Sequence, residues 1–567
     1  MTIFKATRPW ISRTFSTGAR EETSFPRTVF VWALTNELRM VNQITTLSYT
    51  VENNGAKEGT ADFEKAITLC GYGKFHYGFL LLCGIMFLCV GCQNGINAYI
   101  LPSAECDLKL TSEQKGLLNV AFLLGGVVSS LLWGVFADAY GRRYILLVTL
   151  FSDSLLSIGG SFSQSFNVLL IFRALSGFFI GAPGSLVYSY LGEFHAEKQR
   201  VKTICYVGFF WTLSWLILPG LAWIIIPLPI SYQFSGILYN SWRLFLAVIG
   251  IPTLLITLIA TRYPESPKFL VSQGKTEEAL AILRKIYAIN TGHHEDEYPV
   301  KILLPDDTMN VTNKAGSNKD SVLMGLLKNI WQQMRCLASP PLLKYALLCW
   351  SIYFANMFGY YGFGLWLPEL FNRFENYHNL HPNRTVSVCK LMHETNLQPT
   401  ATVAKNILID STSIVKECSP NMDQMVFINS LTINAFCLLG NIVSGYLANR
   451  VGRRTIPVTT MLLAGIFGFL IYFVTSSLQI LMVSCMFSLM IVTANFVISS
   501  IVVDIFPTHV GAVAICMMTC FGRIGAIASN LAFGLLLDIS CEVPIFLVGS
   551  IVILGGLLAF VLPKKKS

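Results

Sequence analysis

Long apolar stretches separated by short polar turns recur along the whole chain. Twelve of them are long enough to predict membrane-spanning helices, since about 20 residues cross a hydrocarbon layer roughly 30 Å thick. They fall at 76–100, 116–137, 144–163, 168–191, 203–227 and 242–261, then at 344–367, 425–447, 455–476, 478–502, 512–536 and 543–562. The expected fold class is therefore an all-α membrane protein with twelve transmembrane helices in two pseudo-symmetric six-helix bundles. The polar remainder divides the chain into a disordered cytoplasmic tail 1–60, a first bundle 61–262, a cytoplasmic linker 263–343, a second bundle 344–563 holding the loop 368–424, and a basic tail 564–567. Within the linker, Leu280, Leu283 and Ile286 recur at helical spacing and predict an amphipathic helix lying on the membrane surface.

A repeat supports the division into halves. Gly134-Val-Phe-Ala-Asp138-Ala-Tyr-Gly141-Arg142-Arg143 returns 311 residues later as Gly445-Tyr-Leu-Ala-Asn449-Arg-Val-Gly452-Arg453-Arg454, with each copy closing an apolar stretch. Parallel repeats of this kind are expected of a carrier. Gly134 and Gly445 predict close helix approach. Asp138 predicts a charge contact across the halves that latches the cytoplasmic side, with Asn449 as its uncharged counterpart. Arg454 completes the second copy, and Asp504 repeats Glu193 at the same offset of 311.

Composition agrees: 53% of residues are apolar and 13% charged, and the mean hydropathy of +0.57 lies far from soluble usage. Lys and Arg concentrate on one side of the predicted spans, at Arg142, Arg143, Lys198, Arg200, Lys202, Arg453 and Lys564 to Lys566, which places both termini in the cytoplasm. The net charge of +9 thus reflects topology, and no nucleic-acid partner is expected. The partners expected are the lipid bilayer and a small organic solute, for a monomer. On the opposite side, Asn383-Arg-Thr385 is a glycosylation triplet, and Cys389 and Cys418 share its loop as disulfide candidates, with Cys106 and Cys541 facing the same compartment. Cys89 and Cys92 have redox spacing but sit inside a span and read as packing. No metal, cofactor or catalytic motif is recognised, so no enzyme is expected.

Polar groups inside spans mark candidate function, because each is costly unless paired or hydrated. For the substrate cavity these are Gln93, Asn94 and Asn97 on the first span, Asp153 on the third, Asn495 on the tenth and Arg523 on the eleventh, with the aromatic residues Trp211, Tyr360, Tyr361 and Trp366 as wall. Arg173 on the fourth span reads as a gating or helix-tying charge.

The turn Asp138-x-x-x-Gly141-Arg142-Arg143, the run Arg173-Ala-Leu-Ser-Gly177-Phe-Phe-Ile-Gly181, Glu193 followed by Arg200, and Tyr263-Pro-Glu-Ser-Pro-Lys268 together resemble the major facilitator superfamily. Leu101-Pro-Ser-Ala-Glu105, Ser241-Trp-Arg243 and Tyr360-Tyr-Gly-Phe-Gly-Leu-Trp366 resemble its synaptic vesicle glycoprotein 2 branch and that branch's insect-type relatives. The resemblance implies two six-helix bundles around a central cavity, alternating access, paired cytoplasmic charges at Glu193 and Arg200, and a glycosylated lumenal loop. It also exposes departures. The branch carries two acids in the first span where this chain has Val90 and Gln93. Asn495 and Ser499 stand where the tenth span has a Trp and an Asp, and Arg523 replaces a common Lys. The reading is a secondary carrier of a small organic solute in a vesicle or plasma membrane. The alternative is a non-transporting vesicle protein that acts through cytoplasmic protein partners.

Overall fold

The computed structural model describes residues 59–234, 236–304, 328, 331–340, 342–380, 389, 423–451, 454–506 and 508–562. The chain divides after Thr60, and every helix named here belongs to the second unit, Ala61–Ser567. Asn383, Cys418, Gly452, Arg453 and the two tails lie outside the described residues, as do the side chains of Gly445, Asn449 and Asp504.

Helix α1 (Phe63–Leu69) leads into the first half: α2 (Lys74–Gly95), α3 (Asn97–Leu108), α4 (Ser112–Tyr140), α5 (Arg142–Gly160), α6 (Phe166–Ile180), α7 (Pro183–Gly192), α8 (Glu197–Ile225) and α9 (Ser241–Ala260). The first predicted span is thus α2 and α3 in series, and the fourth is α6 and α7. A hairpin of β1 (Ser231–Phe234) and β2 (Ile237–Asn240), antiparallel with Ser231 opposite Asn240, joins α8 to α9. After α10 (Pro267–Ser272) and α11 (Thr276–Thr291) come α12 (Leu342–Leu380), α13 (Gln424–Val451), α14 (Thr455–Phe473), α15 (Ser477–Ile505), α16 (Thr508–Leu536) and α17 (Glu542–Ala559). Among the described residues nine helical stretches are long and apolar enough to cross a membrane, and ten if the pair Ser112–Ser129 and Leu132–Tyr140, bent by 44°, is one span. Helices stand at all twelve predicted positions.

The packing repeats as the sequence does. In the first half α2 packs on α8, α4 on α6 and α5 on α9; in the second α12 packs on α16, α13 on α15 and α14 on α17. These are equivalent pairs. The two halves meet where α4 lies against α16 and α8 against α13, contacts that exchange when the halves are swapped.

Local chemistry sets the helix ends. Thr111 and Gln114 form a reciprocal capping box at the start of α4. At its end Gly141 turns the chain with φ +108°, and the Glu265 carboxylate accepts the backbone N–H of Arg143 at 2.9 Å and of Tyr144 at 3.4 Å. Those amides open α5 and have no intrahelical partner. A β-carbon on Gly141 would strike Glu265, so the turn requires glycine for both space and backbone angle.

Helix α11 forms as expected but not where expected. Its buried residues Ala279, Leu280, Leu283 and Ile286 pack with Ala66, Ile67 and Cys70 of the α1 region rather than with lipid. Tyr298 donates to the Ala66 carbonyl at 2.6 Å, and Asn290 donates to the Cys70 carbonyl at 3.1 Å. Burial pushes the Cys70 thiol up to about 12, so it stays protonated and inert. The apolar face needed a cover, and α1 supplies it.

The disulfide expectation is also corrected. Cys389 bonds Cys541 at the start of α17, with Cα atoms 5.3 Å apart, not Cys418; Cys106 is disulfide-bonded as well. Sequence proximity favoured Cys418, whereas the fold places Cys389 beside Cys541.

Candidate functional site

A cavity of about 80 Å³ opens between α8 of the first half and α12, α13 and α15 of the second. Since roughly 10–15 Å³ of such space admits one water, it holds several waters or part of a small solute. Trp211, Thr212 and Trp215 form one wall, with Tyr99 from α3. Tyr360, Ser430, Asn434, Cys437, Phe487, Ser488 and Asn495 face them. The Trp215 and Tyr360 rings meet edge to face across the halves at 5.8 Å, and Tyr360 meets Tyr361 at 5.1 Å.

Two polar atoms in this lining are buried without a partner, the Trp215 Nε1 donor and the Asn495 Oδ1 acceptor. Buried polar groups are nearly always hydrogen-bonded, so a free donor and a free acceptor beside a cavity mark where a ligand or water is taken up. No Asp, Glu, Lys, Arg or His is among the described lining residues.

Of the residues expected in the cavity, Trp211, Tyr360 and Asn495 line it. The others do not. Gln93 is fully buried in the first half, where its Oε1 and backbone carbonyl accept from the Arg173 guanidinium at 3.2 and 3.1 Å, and that guanidinium stacks on Phe122. Asp153 accepts from Ser176 Oγ at 2.6 Å through one carboxylate oxygen, while its Oδ2 has no partner. Asn94 bonds back to the Val90 carbonyl at 2.8 Å. Asn97 donates to Asn119 at 2.9 Å, Asn119 to Asn530 at 3.0 Å, and Trp366 also donates to Asn530 at 3.0 Å. Arg523 lies against Gly126, where a β-carbon would collide with its guanidinium, and so bridges α16 and α4 behind Tyr361.

Among the described residues, the first copy of the repeated motif makes its contacts within its own half. Arg142 pairs with Asp138 at 2.8 Å and Glu193 at 3.0 Å, and its guanidinium sits 5.2 Å from the Phe269 ring centre. Arg143 donates to the Thr261 carbonyl. Glu193 therefore takes Arg142 rather than Arg200, whose partner is Glu64 on α1. A β-carbon at Gly134 would meet nothing within 4 Å, so close helix approach is not what that glycine provides here. Among the described residues the Arg142 contacts form a knot that ties α4, α7 and α10, while the side chains of the second copy up to Arg453, where a partner across the halves is expected, lie outside the described residues. Arg454 sits at the N-cap of α14.

Trp215, Ser430, Asn434 and Ser488 escaped the sequence reading, although a signal was present. Trp215 follows Trp211 by four residues and Asn434 follows Ser430 by four, spacings that put each pair on one helical face.

A chain of two like helical halves, with helices at twelve span positions and a cavity between the halves, defines a membrane carrier. Comparison with known proteins gives the same class. The family described as "Sugar (and other) transporter" matches residues 38–339, more than half of the chain, and "Major Facilitator Superfamily" matches residues 418–567. Synaptic vesicle glycoprotein 2C of Mus musculus is 27% identical over 90% of this chain and 81% of its own length, and synaptic vesicle glycoprotein 2B of Homo sapiens is 26% identical over 89% and 86%. Among solved structures, the inward open conformation of the xylose transporter XylE from E. coli aligns with a TM-score of 0.59 at 14% identity, covering 87% of this chain and 97% of its own. That likeness shows the fold alone. The chain belongs to the sugar (and other) transporter family of the major facilitator superfamily, in its synaptic vesicle glycoprotein 2-like branch, and is a multi-pass membrane transporter rather than an enzyme.

Proposed function

We propose that the chain carries a small uncharged polar solute with a ring or a flat apolar face, by alternating access of the cavity between its halves. The carrying observation is the lining: aromatic walls, amides and hydroxyls, an unpartnered indole donor and an unpartnered amide acceptor on lining residues, and no ionised side chain among the described lining residues. An aromatic wall stacks on a flat or weakly polar face, and the unpartnered groups orient the solute's hydroxyls or amides. A charged solute would lose hydration there with no counter-charge among the lining residues. Both termini lie in the cytoplasm and the protein works as a monomer in a vesicle or plasma membrane, with Asn383 glycosylated on the far side; the asymmetry of Lys and Arg supports this orientation. Xylose, named in the structural neighbours, is one solute of this chemistry.

A thermal-shift screen of the purified full chain tests the reading, since a ligand that binds only the folded state raises apparent stability. At least one neutral ring-bearing solute should raise the Tm, and Trp215→Ala should remove the shift while leaving a folded protein. Shifts confined to charged solutes, or a shift untouched by Trp215→Ala, would contradict it.

A further inference from the structure

The face opposite the linker is closed by a two-layered polar seal that spans the halves. In the outer layer Lys115, at the start of α4, bonds Glu369 of α12 at 2.7 Å, and Arg373 of α12 bonds Ser112 of α4 at 2.9 Å. About one helical turn deeper lies the amide ladder of Asn97, Asn119 and Asn530 with Trp366. Between the layers Gly116 and Gly534 touch so closely that a β-carbon on either would come within 3 Å of the other's backbone. Lys115 and Glu369 are 1% and 2% exposed, so no water reaches this contact. Leu367, between Trp366 and Glu369, lines the cavity, and the seal therefore caps it.

We infer that Lys115, Glu369 and Arg373 form the gate on this face and that Glu105 makes it reversible. Each charge that bonds across the interface also bonds within its own half. Lys115 holds Glu105 of α3 at 2.9 Å. Glu369 holds Arg373 at 2.7 Å, and Arg373 holds Asp538 at 3.0 Å. Breaking a buried ion pair is costly chiefly because it strands an uncompensated charge. Here the halves part and every charge keeps a partner, so the gate opens without stranding one. This explains the acid in Leu101-Pro-Ser-Ala-Glu105, which the cavity does not use.

Two substitutions then act in opposite directions. Lys115→Met removes the bridge and favours opening of this face. Glu105→Gln takes away the partner to which Lys115 retreats and favours closure; its carboxylate is 38% exposed, so this variant threatens the fold least. The gate rests on the carrier reading for its use, but opening is measured without solute. Hydrogen–deuterium exchange of the full chain in lipid nanodiscs reads both ends at once. Lys115→Met should speed exchange in the peptides around 112–119 and 530–538 by roughly threefold or more and slow it around 134–140, whereas Glu105→Gln should slow the first set. Lys115→Arg should behave like the parent. Faster exchange at both ends in Lys115→Met would mean general loosening. That result, or a Glu105→Gln profile equal to the parent or shifted toward opening, would overturn the gate. If Lys115→Met fails to fold, the Glu105→Gln profile decides. A failed solute screen with these opposite shifts intact would discard the solute and keep the gate.

Discussion

Asp153 is the sharpest anomaly at the level of single residues. Its carboxylate is fully buried, accepts one hydroxyl bond from Ser176, and leaves Oδ2 without a partner. The Arg173 guanidinium on α6 is its counter-charge, so the pair is partly compensated, and we propose that Asp153 serves the transport cycle through the oxygen left free. Asp153→Asn keeps the Ser176 bond and removes the charge. A folded variant should lose solute uptake into proteoliposomes to background, with a Tm lowered by the loss of Arg173's counter-charge; uptake at the parental rate would reduce Asp153 to a packing residue. Gly141 makes the opposite case, a residue kept for shape. Gly141→Ala forces a β-carbon onto Glu265 at a backbone angle L-residues avoid, and should lower stability by about 1–3 kcal/mol, read as a drop in Tm; an unchanged Tm would show that the turn can relax. The chain itself displays the polar residues inside its spans, but which of them touch one another it does not. Gln93 and Asp153 are equally conspicuous in sequence, yet both turn into the first half, because side-chain direction depends on helix rotation that hydropathy does not encode.

Elements were legible where a pattern had a single solution. Spans of about 20 apolar residues fix helix positions, and the 311-residue repeat fixes the division into halves. The amphipathic pattern of α11 had two solutions, lipid or protein, and the sequence alone does not separate them. Leu283 is completely buried against the α1 region. Leu283→Ala should therefore cost about 2–5 kcal/mol and loosen α1 and α11 together, seen as faster proteolysis of the linker; a substitution without effect would return α11 to the membrane surface. The same ambiguity governed the disulfide. Cys418 was near in sequence, while Cys541, in the turn between α16 and α17, is near in space.

For the whole molecule, the two halves differ in how they are charged. The first holds Asp153, Arg173 and the Arg142 knot; the second holds Arg523 and the Glu369–Arg373 pair and contributes most of the uncharged cavity lining. The described contacts between them gather toward the face opposite the linker, where α4 meets α16 and α12. Alternating access then requires that seal to part while the halves stay internally rigid, which the repeated helix pairings favour. The most direct measurement is uptake of a solute that raises the Tm into proteoliposomes containing the purified full chain. Saturable uptake that disappears in a folded Trp215→Ala variant is the predicted result. A solute that binds the cavity and yet enters no faster than into protein-free liposomes would contradict the account.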